Sequence, residues 1–349
     1  MKRVEWIDSC RFLAMLVIMV THFLAMFSPD ALQLWEQMPG RLILGGITGK
    51  LSVAVFFVLL GYFASKPKPF SLSAFGRYTL RRYIYFVFFA LLATLLYLLG
   101  GYAVTWLFHT PDESVFVILS DGPRYNLIYL LRDGFLLEDH YIDTLWCMQS
   151  LFLASIVCRL FGYLPARLGP GLRALLAFAV IALLLLLNAA FFVWVCVGLL
   201  GCLLRLVSDS SRELRIKPLL PRLLLFLTGL VIIKLPLDEG PLLYFLQGLV
   251  ALTWTYLILC AESVQRFLSR APLPRLGKLT MGLFVLHTPV YSLLRSSLFP
   301  LMQKVLPDAA TLPLCFCLGV SLTLVGAWLL HRAYDAFALL FRRERVSAR

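Results

Sequence analysis

Apolar residues in this chain come in blocks of about 17–25, the length a helix needs to cross a bilayer core. Short stretches that collect charge and proline separate them. Ten blocks stand out, near 9–27, 45–65, 80–100, 143–162, 172–187, 189–206, 219–235, 241–261, 279–299 and 312–333. The third can run on through Gly100 and Gly101 into Tyr102–Phe108, bending or breaking at the glycine pair. The stretch 172–206 is interrupted only by Arg173, Asn188 and Arg205 and is too long for one span, so the pattern predicts a hairpin divided at Asn188. No internal repeat or second soluble domain is visible. The pattern predicts an all-α polytopic membrane protein of about ten transmembrane helices, forming one domain over 1–349.

Composition agrees: 60% of the 349 residues are hydrophobic and 15% charged, and mean hydropathy is +0.85. The net charge of +13 invites a nucleic-acid reading, but the basic residues sit in short loops between apolar blocks, the positive-inside pattern. With both termini cytoplasmic, 25 of the 32 Lys and Arg fall inside. The seven outside are Arg41, Lys50, Arg124, Arg132, Lys234, Arg295 and Lys304. A single helix over 172–206 would put every later loop on the wrong side, so the charge bias also argues for the hairpin. Lys2 and Arg3 before an apolar run imitate a signal peptide, but Asp8 and Arg11 interrupt it and no small-x-small cleavage site follows; an uncleaved first span is expected. The eight cysteines lie in or at the ends of apolar blocks, against a disulfide framework. Cys315-x-Cys317 has no His or acidic neighbour in sequence and reads as packing sulfur rather than a metal site.

Candidate chemistry begins in the first block. Arg11 and His22 are eleven residues apart, about three helical turns, so both fall within roughly 20° on one face. Arg11 can snorkel to headgroups or act in a site. An imidazole well inside a span is a functional candidate by default, kept neutral by low dielectric and able to act as a base. Asp8 is expected as helix N-cap and as a partner for Arg11. Arg77, Arg81 and Arg82, following Lys66 and Lys68, satisfy the positive-inside rule and equally could grip an anion at a helix start. His287, two residues before Pro289, either lines a polar interior or bonds a backbone carbonyl. The loop from His109 to Asp143 carries seven acids against two bases, as a functional segment or a solvated cap. Metal-hydrolase, P-loop and serine-hydrolase patterns are absent.

Glu5–Ala14 followed by His22 resembles the first span of the membrane acyltransferase-3 family, whose hallmark is an arginine, ten residues, then a histidine. Gly49–Tyr62 is similar to that family's second-span F-F-x-x-S-G-[FY], with Leu60 standing where the family usually has serine. The arginines at 77, 81 and 82 resemble its cytoplasmic basic motif. Leu145-Trp146-Cys147-Met148 resembles its Leu-Trp-Phe-Leu span, with Gln149 where some branches carry a glutamate, and Leu279–Tyr291 resembles its late span ending in His-x-Pro. The resemblance implies acyl transfer across a membrane, from cytoplasmic acyl-CoA (most often acetyl-CoA) to a hydroxyl on an extracytoplasmic glycan or lipid-linked sugar. It places the protein in a bacterial cytoplasmic (inner) membrane, among lipid, with no metal and no nucleic-acid partner. By the same token Arg77, Arg81 and Arg82 would hold CoA phosphates, and Arg11 and His22 would be catalytic, His22 as base or transient acyl carrier. Trp146, Gln149 and His287 would line the cavity.

Two other classes stay open at this level: a secondary transporter or exporter of a glycan-related substrate, and a non-catalytic membrane scaffold. Paired repeats or matching broken spans would mark the first; failure to bind CoA would mark the second.

Overall fold

The structure, a computed structural model, describes residues 4–28, 49–108, 113–165, 167–187, 190–210, 219–233 and 240–347. Lys2, Arg3, Arg41, His109, Asn188 and Lys234, named above, lie outside the described residues, as do Asp112, Arg212, Arg215, Lys217 and Arg349 from the charge counts. No strand occurs among those described. The helices are α1 (Glu5–Phe27), α2 (Gly49–Ala64), α3 (Leu72–Phe108), α4 (Glu113–Leu131), α5 (Leu145–Phe161), α6 (Pro170–Leu186) and α7 (Ala190–Ser210). They continue with α8 (Leu219–Ile233), α9 (Pro241–Cys260), α10 (Glu262–Leu268), α11 (Leu273–Gly277), α12 (Thr280–Ser296), α13 (Leu298–Val305) and α14 (Asp308–Ser347).

A helix lies in each of the ten predicted blocks. Among the described residues five stretches are long and apolar enough to cross a membrane: Glu5–Phe27, Leu72–Phe108, Phe192–Asp209, Pro241–Cys260 and Ala309–Leu339. Local chemistry explains several boundaries. Pro170 and Pro241 open α6 and α9 at a position where the missing N–H costs nothing. Hydroxyls inside apolar helices turn back on their own backbone, as Thr255 does to the Ala251 carbonyl and Thr323 to that of Gly319, both at 2.7 Å. The glycine pair does not break α3, which runs unbroken through it.

Two expectations are corrected. Asp8 is not the N-cap of the first helix: α1 already begins at Glu5, which puts Asp8 within its first turn. The segment before Asp143 is not simply a loop, because α4 occupies much of it, kinked where Gly122 takes positive φ ahead of Pro123.

The chain forms two compact units. The first gathers 1–21, 30–82 and 150–277. Its centre is α2, packed on α7 and α9, with α6 against α7 and α8 against α9. Glycine sets that closeness: a Cβ on Gly61 would overlap the Gly198 carbonyl oxygen, and one on Gly201 that of Val58. The start of α1 is held here too, with the Ser9 hydroxyl donating to the Leu268 carbonyl and the Asp8 backbone lying against Gly277.

The second unit comprises 22–29, 83–149 and 278–349. Here α12 packs on α14 and touches α4. Phe23 and Phe27, from the end of α1, meet Tyr291 edge to face at 5.5 and 6.2 Å.

Candidate functional site

In the second unit the structure brings two of the predicted residues together. His22 on α1 and His287 on α12 meet edge to face, ring centroids 5.0 Å apart. His22 is half-buried, whereas His287 is wholly buried. The orientation of His287 is set by its own helix. Its Nδ1 donates to the carbonyl oxygens of Phe284 at 2.8 Å and Leu283 at 3.2 Å. Carbonyls only accept, so Nδ1 carries the hydrogen and the neutral ring presents its lone pair at Nε2. That Nε2 has no hydrogen-bond partner among the described residues.

The same helix supplies two more buried polar atoms without partners among the described residues, Thr288 Oγ1 and Tyr291 Oη. Tyr291 is one turn beyond His287, its ring 6.1 Å away. A Nε2 lone pair and two hydroxyls make a sequence cluster of unsatisfied groups along five residues of one helix, groups that can accept from or donate to a polar guest.

The acidic segment reaches this cluster. Thr144 donates to the Phe284 carbonyl at 3.4 Å, the oxygen that also receives His287. Asp143 beside it is exposed, and its carboxylate lies within Coulombic range of His22. Upstream, Asp133 is fully buried and accepts the backbone N–H groups of His140 at 3.2 Å and Tyr141 at 3.0 Å. Burial outweighs those bonds and pushes its carboxyl up to about 6. Asn126 ties the segment inward, donating to Tyr102 at 2.6 Å and accepting from Tyr141. Leu137 adopts left-handed backbone at φ 57°, a strained conformation for a side-chain-bearing residue.

The remaining predicted residues are placed as follows. Trp146 is half-buried at the start of α5, and Gln149 is exposed, its amide donating to the Leu136 carbonyl at 3.3 Å. In the first unit Arg11 pairs with Asp8 at 3.7 Å, as expected. Arg77 and Arg81 are exposed along α3 and Arg82 is half-buried, stacked on the Tyr78 ring at 5.9 Å. A cleft of about 530 Å³ in this unit is lined by Trp6, Glu262, Gln265, Arg266 and Ser269, and none of the predicted site residues borders it. Sequence reasoning missed Thr144 and Tyr291, which only the packing of α12 reveals. It also left Asp143 as one acid among seven.

Among the described residues no three His, Cys, Asp or Glu side chains converge as metal ligands would. All eight cysteines are free, and Cys317 alone among them is exposed.

A family model described as an acyltransferase domain, acyltransferase family 3, matches residues 4–332. No curated protein and no solved structure matches the chain. With that match running from before Glu5 in α1 to the middle of α14, the chain belongs to the acyltransferase-3 family of membrane acyltransferases.

Proposed function

We propose that this membrane acyltransferase moves an acetyl group from cytoplasmic acetyl-CoA to a hydroxyl of an extracytoplasmic glycan or lipid-linked sugar, in a bacterial inner membrane. In this reading the ten apolar helices cross the bilayer with both termini in the cytoplasm, as the distribution of Lys and Arg favours. Arg77, Arg81 and Arg82 hold the phosphates of the donor, and Arg11 provides a further cationic contact.

The observation that carries the reading is the pairing of His22 with His287, whose Nδ1–H is committed to backbone carbonyls. His287 fixes its own tautomer and keeps an unpartnered lone pair at Nε2, so His22 has a polar neighbour in an otherwise apolar surrounding. His22 removes the proton of the acceptor hydroxyl as its oxygen attacks the thioester carbonyl carbon. A new C–O bond forms, the C–S bond breaks, and the leaving thiolate takes the proton back from the imidazolium. Thr288 and Tyr291 supply donors and acceptors that a sugar hydroxyl can satisfy.

The test is transfer from labelled acetyl-CoA to a panel of candidate glycans by membranes carrying wild-type protein or His22→Ala. General-base catalysis contributes about 10²–10⁴-fold, so the variant should lose at least about a hundredfold in rate. Wild-type rates from His22→Ala would overturn the role of His22, and transfer of no acyl group by wild-type membranes would overturn the reaction.

A further inference from the structure

Arg159 is a buried cation without a carboxylate. It stands near the end of α5, 9% exposed, and no ion pair involves it among the described residues. Its Nε donates to the Tyr163 phenol oxygen at 3.2 Å and its Nη1 to the Ala64 carbonyl at 3.4 Å. The other N–H groups of the guanidinium have no acceptor among the described residues. Aromatic rings flank it, with the centroids of Tyr163 at 4.8 Å and Tyr78 at 5.2 Å. Arg82 lies over the same Tyr78 ring at 5.9 Å, so one phenol ring serves two guanidinium groups.

An arginine keeps its charge in any protein environment. Taking that charge out of water is costly, and two neutral oxygens with two ring faces recover only part of the loss. No acid is at hand in sequence either: neither 61–82 nor 150–173 contains Asp or Glu, while together they carry Lys66, Lys68, Arg77, Arg81, Arg82, Arg159, Arg167 and Arg173. The fold draws these segments together. The backbone N–H of Lys68 donates to the Gly162 carbonyl at 3.1 Å, and Gly162 lets the backbone of Ser65 and Lys66 lie against it. A half-satisfied planar fork between two segments that carry only positive charge suits the oxygens of a phosphate, which the fork can bind in two-point fashion.

We propose that Arg159, with Arg82 at the same Tyr78 ring, forms a phosphate-binding site at the cytoplasmic end of the first unit. Its ligand is a phosphate mono- or diester, the chemistry shared by the phosphoryl groups of a CoA-type donor and the headgroup of an anionic phospholipid. The anion site stands on geometry alone, and its assignment to the donor rests on the acyl-transfer reading. Arg159 holds the phosphate at the buried end, and the exposed Arg77 and Arg81 attract it from solution.

The test is thermal unfolding of the full-length protein in neutral detergent with adenosine 3′,5′-bisphosphate or CoA, and in nanodiscs of phosphatidylcholine with or without phosphatidylglycerol. Arg159→Met removes the charge and keeps the apolar stem. Without ligand it should unfold at no lower a temperature than wild type, because no compensated pair is broken. Its apparent affinity for the effective phosphate should fall at least tenfold. A shift with the bisphosphate identifies the donor as source, and a shift with phosphatidylglycerol alone identifies lipid. If wild type responds to none of these probes, or if Arg159→Met keeps the wild-type response, the site is overturned. Should Arg159→Met fail to fold, Arg82→Gln carries the same comparison at a half-buried position. His22→Ala separates the two ideas: it should keep the phosphate response while losing transfer, and a failed acyl-transfer reading would leave binding intact with no transfer to lose.

Discussion

Thr144 and His287 address the same acceptor, the carbonyl oxygen of Phe284, at 3.4 and 2.8 Å. The acidic segment leading into α5 and the buried histidine therefore share one anchor, and disturbing either side reaches the other through it. The two bonds are not equal. Thr144→Val removes the longer one, worth about 0.5–1 kcal/mol, and should slow transfer only a few-fold. His287→Leu removes the Nε2 lone pair beside His22 and should slow it by about 10²-fold or more, while the protein still folds around an apolar side chain. Initial rates with labelled acetyl-CoA, read beside melting curves, check both. Equal losses from the two variants would mean that His287 acts only as packing.

Tyr291 makes a separate point about the polar cluster. Its hydroxyl is buried without a partner among the described residues, while its ring is packed by Phe23 and Phe27. Tyr291→Phe keeps the packing and removes an uncompensated polar group, so the variant should be more stable without substrate by about 1 kcal/mol. If the hydroxyl meets the acceptor sugar, the same variant raises KM for the acceptor and leaves that for the donor unchanged. A melting temperature below wild type would show that the hydroxyl already has a partner in the protein.

Much of this was legible in the sequence because membrane helices announce themselves by uninterrupted apolar length. The ninth block, read as 279–299, is α12 at Thr280–Ser296. The segment before Asp143 was not legible as helix, since Gly122-Pro123 sits in the middle of α4 and splits its apolar residues into two short runs. His22 and His287 each stood out as ionisable groups in apolar blocks, but no local pattern pairs residues 265 positions apart; only packing does. Arg159 had a signal that was counted for topology alone. The absence of any acid from 61–82 and 150–173 shows that its charge has no nearby counter-ion in sequence.

Asp133 predicts a pH dependence outside the membrane-spanning helices. Its folded carboxyl titrates at about 6 against an ordinary 3.8, so the folded state binds the proton more tightly. Its contribution is therefore most favourable below about pH 3.8, is lost as pH rises through 6, and is constant above that. Across the window the loss amounts to about 3 kcal/mol. Asp133→Asn does not titrate there, so the melting temperature of wild type minus that of the variant should fall between pH 4 and pH 6 and then level off. Neighbouring Asp139 and His140 are present in both proteins, so the difference isolates the Asp133 carboxyl. A difference that stays flat from pH 4 to 7 would show that the Asp133 carboxyl is not desolvated.

The first unit is most sensitive where α2 meets α7. At Gly61 and Gly201 the partner backbone occupies the space a side chain would need, so the cost of substitution is set by backbone displacement and not by a yielding side chain. Gly201→Val would force α2 away from α7 and break contacts along both helices; overpacking of this kind costs about 1–3 kcal/mol or more. Gly76 and Gly171, by contrast, have open space at the Cβ position. Gly171→Ala should be neutral or stabilising by about 0.5–1 kcal/mol in its helix. Melting temperature and monodispersity in detergent check the pair. If Gly201→Val and Gly171→Ala behave alike, the close approach of α2 and α7 is not what holds the unit together.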